Sequence, residues 1–293
     1  MTWEQLIGAV IYGLGVSGIL FLVSIGISIG FGLMRVVNME QMVYYTFGAY
    51  LTYTLVSVTH SFLLGLAAGI VVAGMMGFLV ETQLLRRVYG KELMFTMVAT
   101  FSVFFIGIGI IQYIWGVNAR PVAPPTETMV DIFGVSMPLY RIIVIGIAAL
   151  IYILIQLLLN QTIIGKVLRA GIEDPENVQG LGIDTVKITT FTFVVASGLA
   201  GLGGALNAPL IMTGPYMGFD MLLFAFVTVV LGGLGSIKGT LVSALVLGQV
   251  ISVGGTIWSP LSYLAPFLVM FFVLLIKPTG LFGVAGKAYG FEE

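Results

Sequence analysis

Long stretches without a charged residue dominate the chain. They cover residues 5–34, 41–80, 93–119, 142–165, 188–219, 221–237 and 239–276. A helix of about 20 apolar residues crosses the hydrocarbon core of a bilayer, so these runs predict membrane spans. Two runs are long enough for two helices each. Within 41–80 the break falls at Thr59, His60 and Ser61, and within 239–276 at Trp258, Ser259 and Pro260, where proline also disfavours helix at the residue before it. The run 221–237 is short and ends in Gly232, Gly233, Leu234 and Gly235, the pattern of a broken or re-entrant helix. The pattern predicts an all-α, polytopic transmembrane protein of eight or nine spans, with residues 1–293 forming a single transmembrane domain.

Composition agrees with that solvent. Of the 293 residues, 59% are hydrophobic and 9% charged, against about 25% charged in average soluble chains. The 39 glycines suit close helix approach in lipid more than helices in water. With no cysteine and a single histidine, His60, disulfides, thiolate metal sites and cysteine nucleophiles are excluded, and no metal site is expected. A net charge of −1 gives no reason to expect nucleic acid as a partner. No Lys or Arg precedes the first apolar run, so no cleavable leader is expected.

Lys and Arg set the expected orientation. Arg86, Arg87 and Lys91 fall in one short connection, and Lys166, Arg169 and Lys187 in another two spans later. Both should face the cytoplasm, with Arg35. Nine spans then put the N-terminus outside and Lys238, Lys277 and Lys287 inside. The segment 116–140, with Pro121, Pro124 and Pro125, reads as a stiff extended stretch outside. The chain is expected in the cell (inner) membrane as a multi-pass protein.

The longest polar stretch, 160–187, carries capping signals. Asp174 suits a helix N-cap, Pro175 the first helical position and Glu176 the first turn. Gly180 suits the stop, and Asp184 can cap the next span. A short helix beginning after Asp174 is therefore expected on the cytoplasmic face, with Val178 and Leu181 giving it an apolar side. A merely solvated connector would need no such caps.

At this stretch the chain resembles the branched-chain amino acid permeases of ABC importers. Gly165, Lys166, Arg169, Ala170, Asp174, Gly180, Gly182 and Ile183 follow that family's coupling-loop pattern. Pro215, Met217 and Gly218 match a second segment, Gly232, Gly233, Gly235, Ser236 and Gly239 a third, and Lys277, Pro278, Gly280, Leu281 and Gly283 a C-terminal one. Asn38 and Gly48, Ala49 and Tyr50 match near the N-terminus. The family usually follows that Asn with an aromatic residue and Ala-His-Gly; here Met39, Glu40, Gln41 and Met42 stand instead. The resemblance implies transport of branched-chain amino acids, or of a related solute such as urea or an amide, by alternating access. It implies a homologous second permease, two ATP-binding subunits and an external solute-binding protein, with ATP used by the partner and no cofactor in this chain.

The remaining polar residues point to a pathway rather than to catalysis. Two helix breaks occupy comparable places in the two halves, Met34–Gly48 and Gly214–Gly235, and matched discontinuities mark transport pathways in other folds. Asn38 and Gln41 flank the first and are the candidate pathway residues. Glu40, Glu81 and Asp220 lie near expected span ends and read as interfacial. The glycines 232–239 lack the spacing of a phosphate loop. No catalytic constellation is present, so an enzyme is not expected. The alternative is an ion-coupled secondary transporter or channel, which needs acids at mid-membrane depth.

Overall fold

The charge-free runs fold as helices in the computed structural model, which describes residues 3–34, 38–88, 93–132, 134–173 and 184–283. The helices among them are α1 (Trp3–Met34), α2 (Gln41–Thr59), α3 (Phe62–Gln83), α4 (Leu93–Trp115), α5 (Leu139–Gln161), α6 (Ile163–Glu173), α7 (Thr185–Asn207), α8 (Met217–Gly232), α9 (Ile237–Ile257) and α10 (Leu261–Ile276). Of the described helices, α1, α3, α4, α5, α7 and α9 are long and apolar enough to cross a membrane; α8 and α10 are shorter apolar helices.

The expected breaks are where local chemistry requires them. His60 takes a left-handed conformation, φ 54°, and closes α2 through its N–H to the Val56 carbonyl at 3.0 Å. Ser61 then caps α3, its Oγ accepting from the Leu64 N–H at 3.4 Å. The second break falls between Ile257 and Leu261, with Pro260 opening α10. The third is made by Gly233 and Gly235 at φ 97° and 80°, so α8 stops at 16 residues. Ser236 restarts the chain as α9, accepting from the Gly239 N–H at 3.1 Å.

The segment 116–140 differs from a plain extended stretch. Strands β1 (Met129–Ile132) and β2 (Val135–Pro138) form an antiparallel hairpin in which Met129 faces Pro138 and Ile132 faces Val135. Ahead of it, Arg120 exchanges two backbone hydrogen bonds with Thr213, at 2.8 and 2.9 Å. This ties the segment to the connection between α7 and α8.

Helix α2 is the centre of the bundle: every residue from Gln41 to Tyr50 is buried. Helices α1, α3, α4, α7 and α8 pack against it. Backbone approach is close enough that glycine is required. A Cβ on Gly48 would collide with the Gly201 carbonyl, one on Gly201 with the Gly69 carbonyl, and one on Gly204 with the Tyr45 carbonyl. Small residues let helix backbones meet where lipid supplies no hydrophobic driving force.

Candidate solute-pathway site

Gln41 opens α2 in the interior of the bundle. A Cβ on Gly26 of α1 would lie 3.2 Å from Gln41 Oε1 and 2.9 Å from the carbonyl of Ala196. Ala196 is the midpoint of α7, and Gly26 lies two turns, about 12 Å, before the end of α1. The Gln41 side chain at the start of α2 therefore meets α7 at its midpoint and α1 three quarters of the way along its 32 residues.

This corrects the expectation for Glu40. It was read as interfacial because it bounds a charge-free run, but it is 0% exposed, as is Gln41, and Asn38 is 1% exposed. Asn38 interacts with the Glu40 carboxylate, yet neither group completes a hydrogen bond of ordinary geometry, and both Gln41 amide atoms also lack a partner. Buried polar groups without partners cost about 1–3 kcal/mol each, so this cluster calls for an explanation. Sequence reasoning missed it because position in a charge-free run does not tell how far a chain re-enters the bundle.

The two helix breaks meet in space. A Cβ on Gly218, at the start of α8, would lie 2.5 Å from the Met42 carbonyl and would also collide with Thr46 Oγ1. The start of α8 thus packs on the start of α2. Asn207, closing α7, donates to Tyr45 OH, and Tyr140 OH donates to the Leu206 carbonyl at 2.7 Å. Asp220 is exposed in the first turn of α8, where a carboxylate favours the helix dipole.

Glu81, near the end of α3, is also fully buried. Its carboxylate accepts from Arg86 Nε at 3.0 Å and from Thr190 Oγ1 at 2.9 Å, fastening the end of α3 to the start of α7. Arg86 donates to Thr190 as well. The i,i+5 pair of charges was visible in the sequence; its third member, more than 100 residues away, was not.

The stretch 160–187 is more helical than its caps suggested. Residues 163–173 form α6, which carries Gly165, Arg169 and Ala170. Its apolar positions Ile163, Val167 and Leu168 and polar Lys166 recur at helical spacing. Gly165 is required at the corner between α5 and α6: its N–H donates to Thr162 Oγ1 at 3.0 Å, and a Cβ there would collide with the Leu158 carbonyl. Leu168 is buried, while Lys166 is exposed, and α6 packs on α1, α5 and α7. Asp174, Pro175, Glu176, Val178, Gly180, Leu181, Gly182 and Ile183 lie outside the described residues. Asp184 caps α7 as expected, accepting from the Lys187 N–H at 3.1 Å.

The glycine segment and the C-terminal motif form one structure. Gly232 and Gly239 pack backbone to backbone, and the stretch ending at Gly283 lies across them. Leu281 N–H donates to the Leu231 carbonyl at 2.8 Å and Phe282 N–H to the Gly232 carbonyl at 3.0 Å.

Comparison with known sequences assigns this arrangement. Residues 9–274 match the family described as branched-chain amino acid transport system / permease component. The chain belongs to that permease family. Its relatives include the high-affinity branched-chain amino acid transport system permease protein LivH of Salmonella typhimurium, 25% identical over 89% of this chain and 90% of that protein. BraD of Pseudomonas aeruginosa, described in the same terms, is 25% identical over 92% of this chain and 94% of its own length. Two proteins of Methanocaldococcus jannaschii are also similar to this permease. One, a probable branched-chain amino acid transport permease protein LivH, is 27% identical over 96% of this chain and 92% of its own length; a probable LivM is 32% identical over 47% and 45%. These relatives are transport permeases and the helices are apolar, so the chain is a multi-pass membrane protein of the transport class.

Proposed function

We propose that this permease passes branched-chain amino acids, or a related small polar solute such as urea or an amide, across the cytoplasmic membrane by alternating access, as the membrane subunit of an ABC importer. The carrying observation is the family match over residues 9–274. The meeting of the two helix breaks at α2 and α8 supports a pathway through Asn38 and Gln41. In this reading nine helices cross the membrane, with the N-terminus outside and the C-terminus inside. Helix α6 and the residues after it face the cytoplasm and receive the motion of separate ATP-binding subunits. A solute-binding protein delivers from outside. The similarity to both LivH and LivM of one organism supports a second, homologous permease beside this one.

Glu40 gives the competing reading its own observation. An ion-coupled carrier needs an acid inside the membrane, and Glu40 is a fully buried acid at the start of α2. Reconstitution in proteoliposomes separates the two. Uptake that requires both ATP and the binding protein is the expected result; uptake driven by an ion gradient alone would overturn the importer.

A further inference from the structure

The interior end of α2 holds more polarity than a helix break needs. We propose that it is a subsite for the charged head of an amino acid, in which Glu40 takes the ammonium group and the side-chain amides of Asn38 and Gln41, at the positive end of α2, take the carboxylate. The inference rests on the amino-acid permease reading and narrows it, because urea and simple amides carry neither charge.

Three observations point to this chemistry. First, Glu40 makes no ion pair with any described residue: among those residues the ion pairs are Arg86 with Glu81 and Lys187 with Asp184. A buried carboxylate is stable only when paired or neutralised, and an incoming ammonium group supplies the pair. Secondly, Glu40 is not an ordinary helix cap. It stands at the N-cap of α2 with its backbone already helical, φ −67° and ψ −15°, and its side chain makes no capping hydrogen bond. The early N–H groups of the helix are met by backbone carbonyls instead, Val43 N–H donating to the Glu40 carbonyl at 2.9 Å. Thirdly, Gln41 leaves a buried amide donor and acceptor unpaired, and Asn38, which lies against Glu40, completes no hydrogen bond of ordinary geometry, beside the end of a 19-residue helix. The helix dipole places partial positive charge there, and amide donors at such an end suit a carboxylate.

A zwitterion therefore finds a carboxylate and neutral amide donors within one backbone turn. Glu40 and Gln41 are inaccessible to solvent in this conformation, so the subsite is occluded here. A solute reaches it only in a conformation more open than this one.

The test uses the complete importer, with its partner permease, ATP-binding subunits and solute-binding protein, in proteoliposomes. If the parental complex takes up no amino acid with ATP, the permease reading itself fails and the subsite with it. Given parental leucine uptake, Glu40→Gln is expected to lower it at least about tenfold, the effect of removing one partner of a buried charge pair. Glu40→Asp, which keeps the charge, should retain more. ATP hydrolysis evoked by the loaded binding protein should persist in both, showing that the complex assembles. Glu40→Gln transporting leucine at the parental rate overturns the subsite. The unsubstituted permease, purified without the binding protein, supplies a test that no substitution confounds. Leucine should raise its melting temperature, while isocaproamide, the same carbon skeleton with neither charge, should not. Equal shifts with the two compounds also overturn the proposal.

Discussion

Phe282 donates its backbone N–H to the carbonyl of Gly232 at 3.0 Å. With the bond from Leu281 to Leu231, this gives partners to carbonyls in the last turn of α8, which a helix end otherwise leaves unpaired. The glycines of the C-terminal motif exist for this contact. Gly280 has φ 79°, and a Cβ on it would lie 2.6 Å from the Val230 carbonyl. Gly280→Ala should therefore destabilise the protein by roughly 1–3 kcal/mol through backbone strain and crowding. Gly146→Ala, where a Cβ meets nothing within 4 Å, should be neutral or slightly stabilising. Thermal unfolding in detergent compares them, and equal melting temperatures would refute the capping role.

The Glu81–Arg86 pair should behave as a buried ion pair. Its carboxylate is 0% exposed and its guanidinium 37%. Arg86→Met alone leaves a buried charge and is expected to cost up to about 3–5 kcal/mol, the range for breaking such pairs, reduced by the partial exposure of Arg86. Glu81→Gln combined with Arg86→Met should recover part of the loss. A double-mutant cycle on unfolding measures the coupling; additive losses would show that the two residues act separately.

Asn38 and Gln112 are both amides within the helical region, but they differ in partners. Gln112 Nε2 donates to Tyr216 OH at 2.9 Å, whereas the buried Asn38 amide completes no hydrogen bond of ordinary geometry. Asn38→Leu should leave stability unchanged or raise it, because an unsatisfied polar group is removed, yet should impair uptake. Gln112→Leu should spare uptake. Parallel melting and transport assays check the split, and equal uptake by the two variants removes Asn38 from the pathway.

Asp184 supplies a pH dependence at the start of α7. The N–H of Lys187, and then its side chain, hold the Asp184 carboxyl below its usual pKa. A carboxyl depressed in the folded state stabilises above its unfolded pKa, about 3.9. That contribution is lost as pH falls through the lower folded value. Hydrogen exchange at the Lys187 amide should be steady from neutral pH to the carboxylate range and should accelerate, relative to its intrinsic rate, below it. Asp184→Asn, which keeps an acceptor without titrating, should abolish the pH dependence; its persistence would assign the effect elsewhere.

The proposed sidedness is open to chemical labelling because the chain has no cysteine. Lys166 and Glu127 are both exposed. Lys166→Cys should react with an impermeant maleimide only from the cytoplasmic side and Glu127→Cys only from outside. Reaction of both from one side would overturn the nine-span map.

The solvent, the elements and the family are legible in the order of residues alone. Charge-free runs, interruptions at His60, Pro260 and Gly233, and the cap at Asp184 are local features, and local backbone and side-chain chemistry is sufficient to place helix ends. The order of short motifs along the chain was likewise enough to find the permease family. Helix α6 is legible in the period of Ile163, Val167 and Leu168. Only the tertiary structure decided depth and company. Glu40 and Glu81 bound apolar runs as interfacial acids do, yet Glu40 is fully buried at the start of α2 and Glu81 is enclosed by Arg86 and Thr190. The joining of Gly232 to Phe282, and of Gly218 to Met42, was equally hidden. Burial and partnership depend on which distant backbone approaches a residue, and in this bundle that is set by where helices lack a Cβ on both sides of a contact.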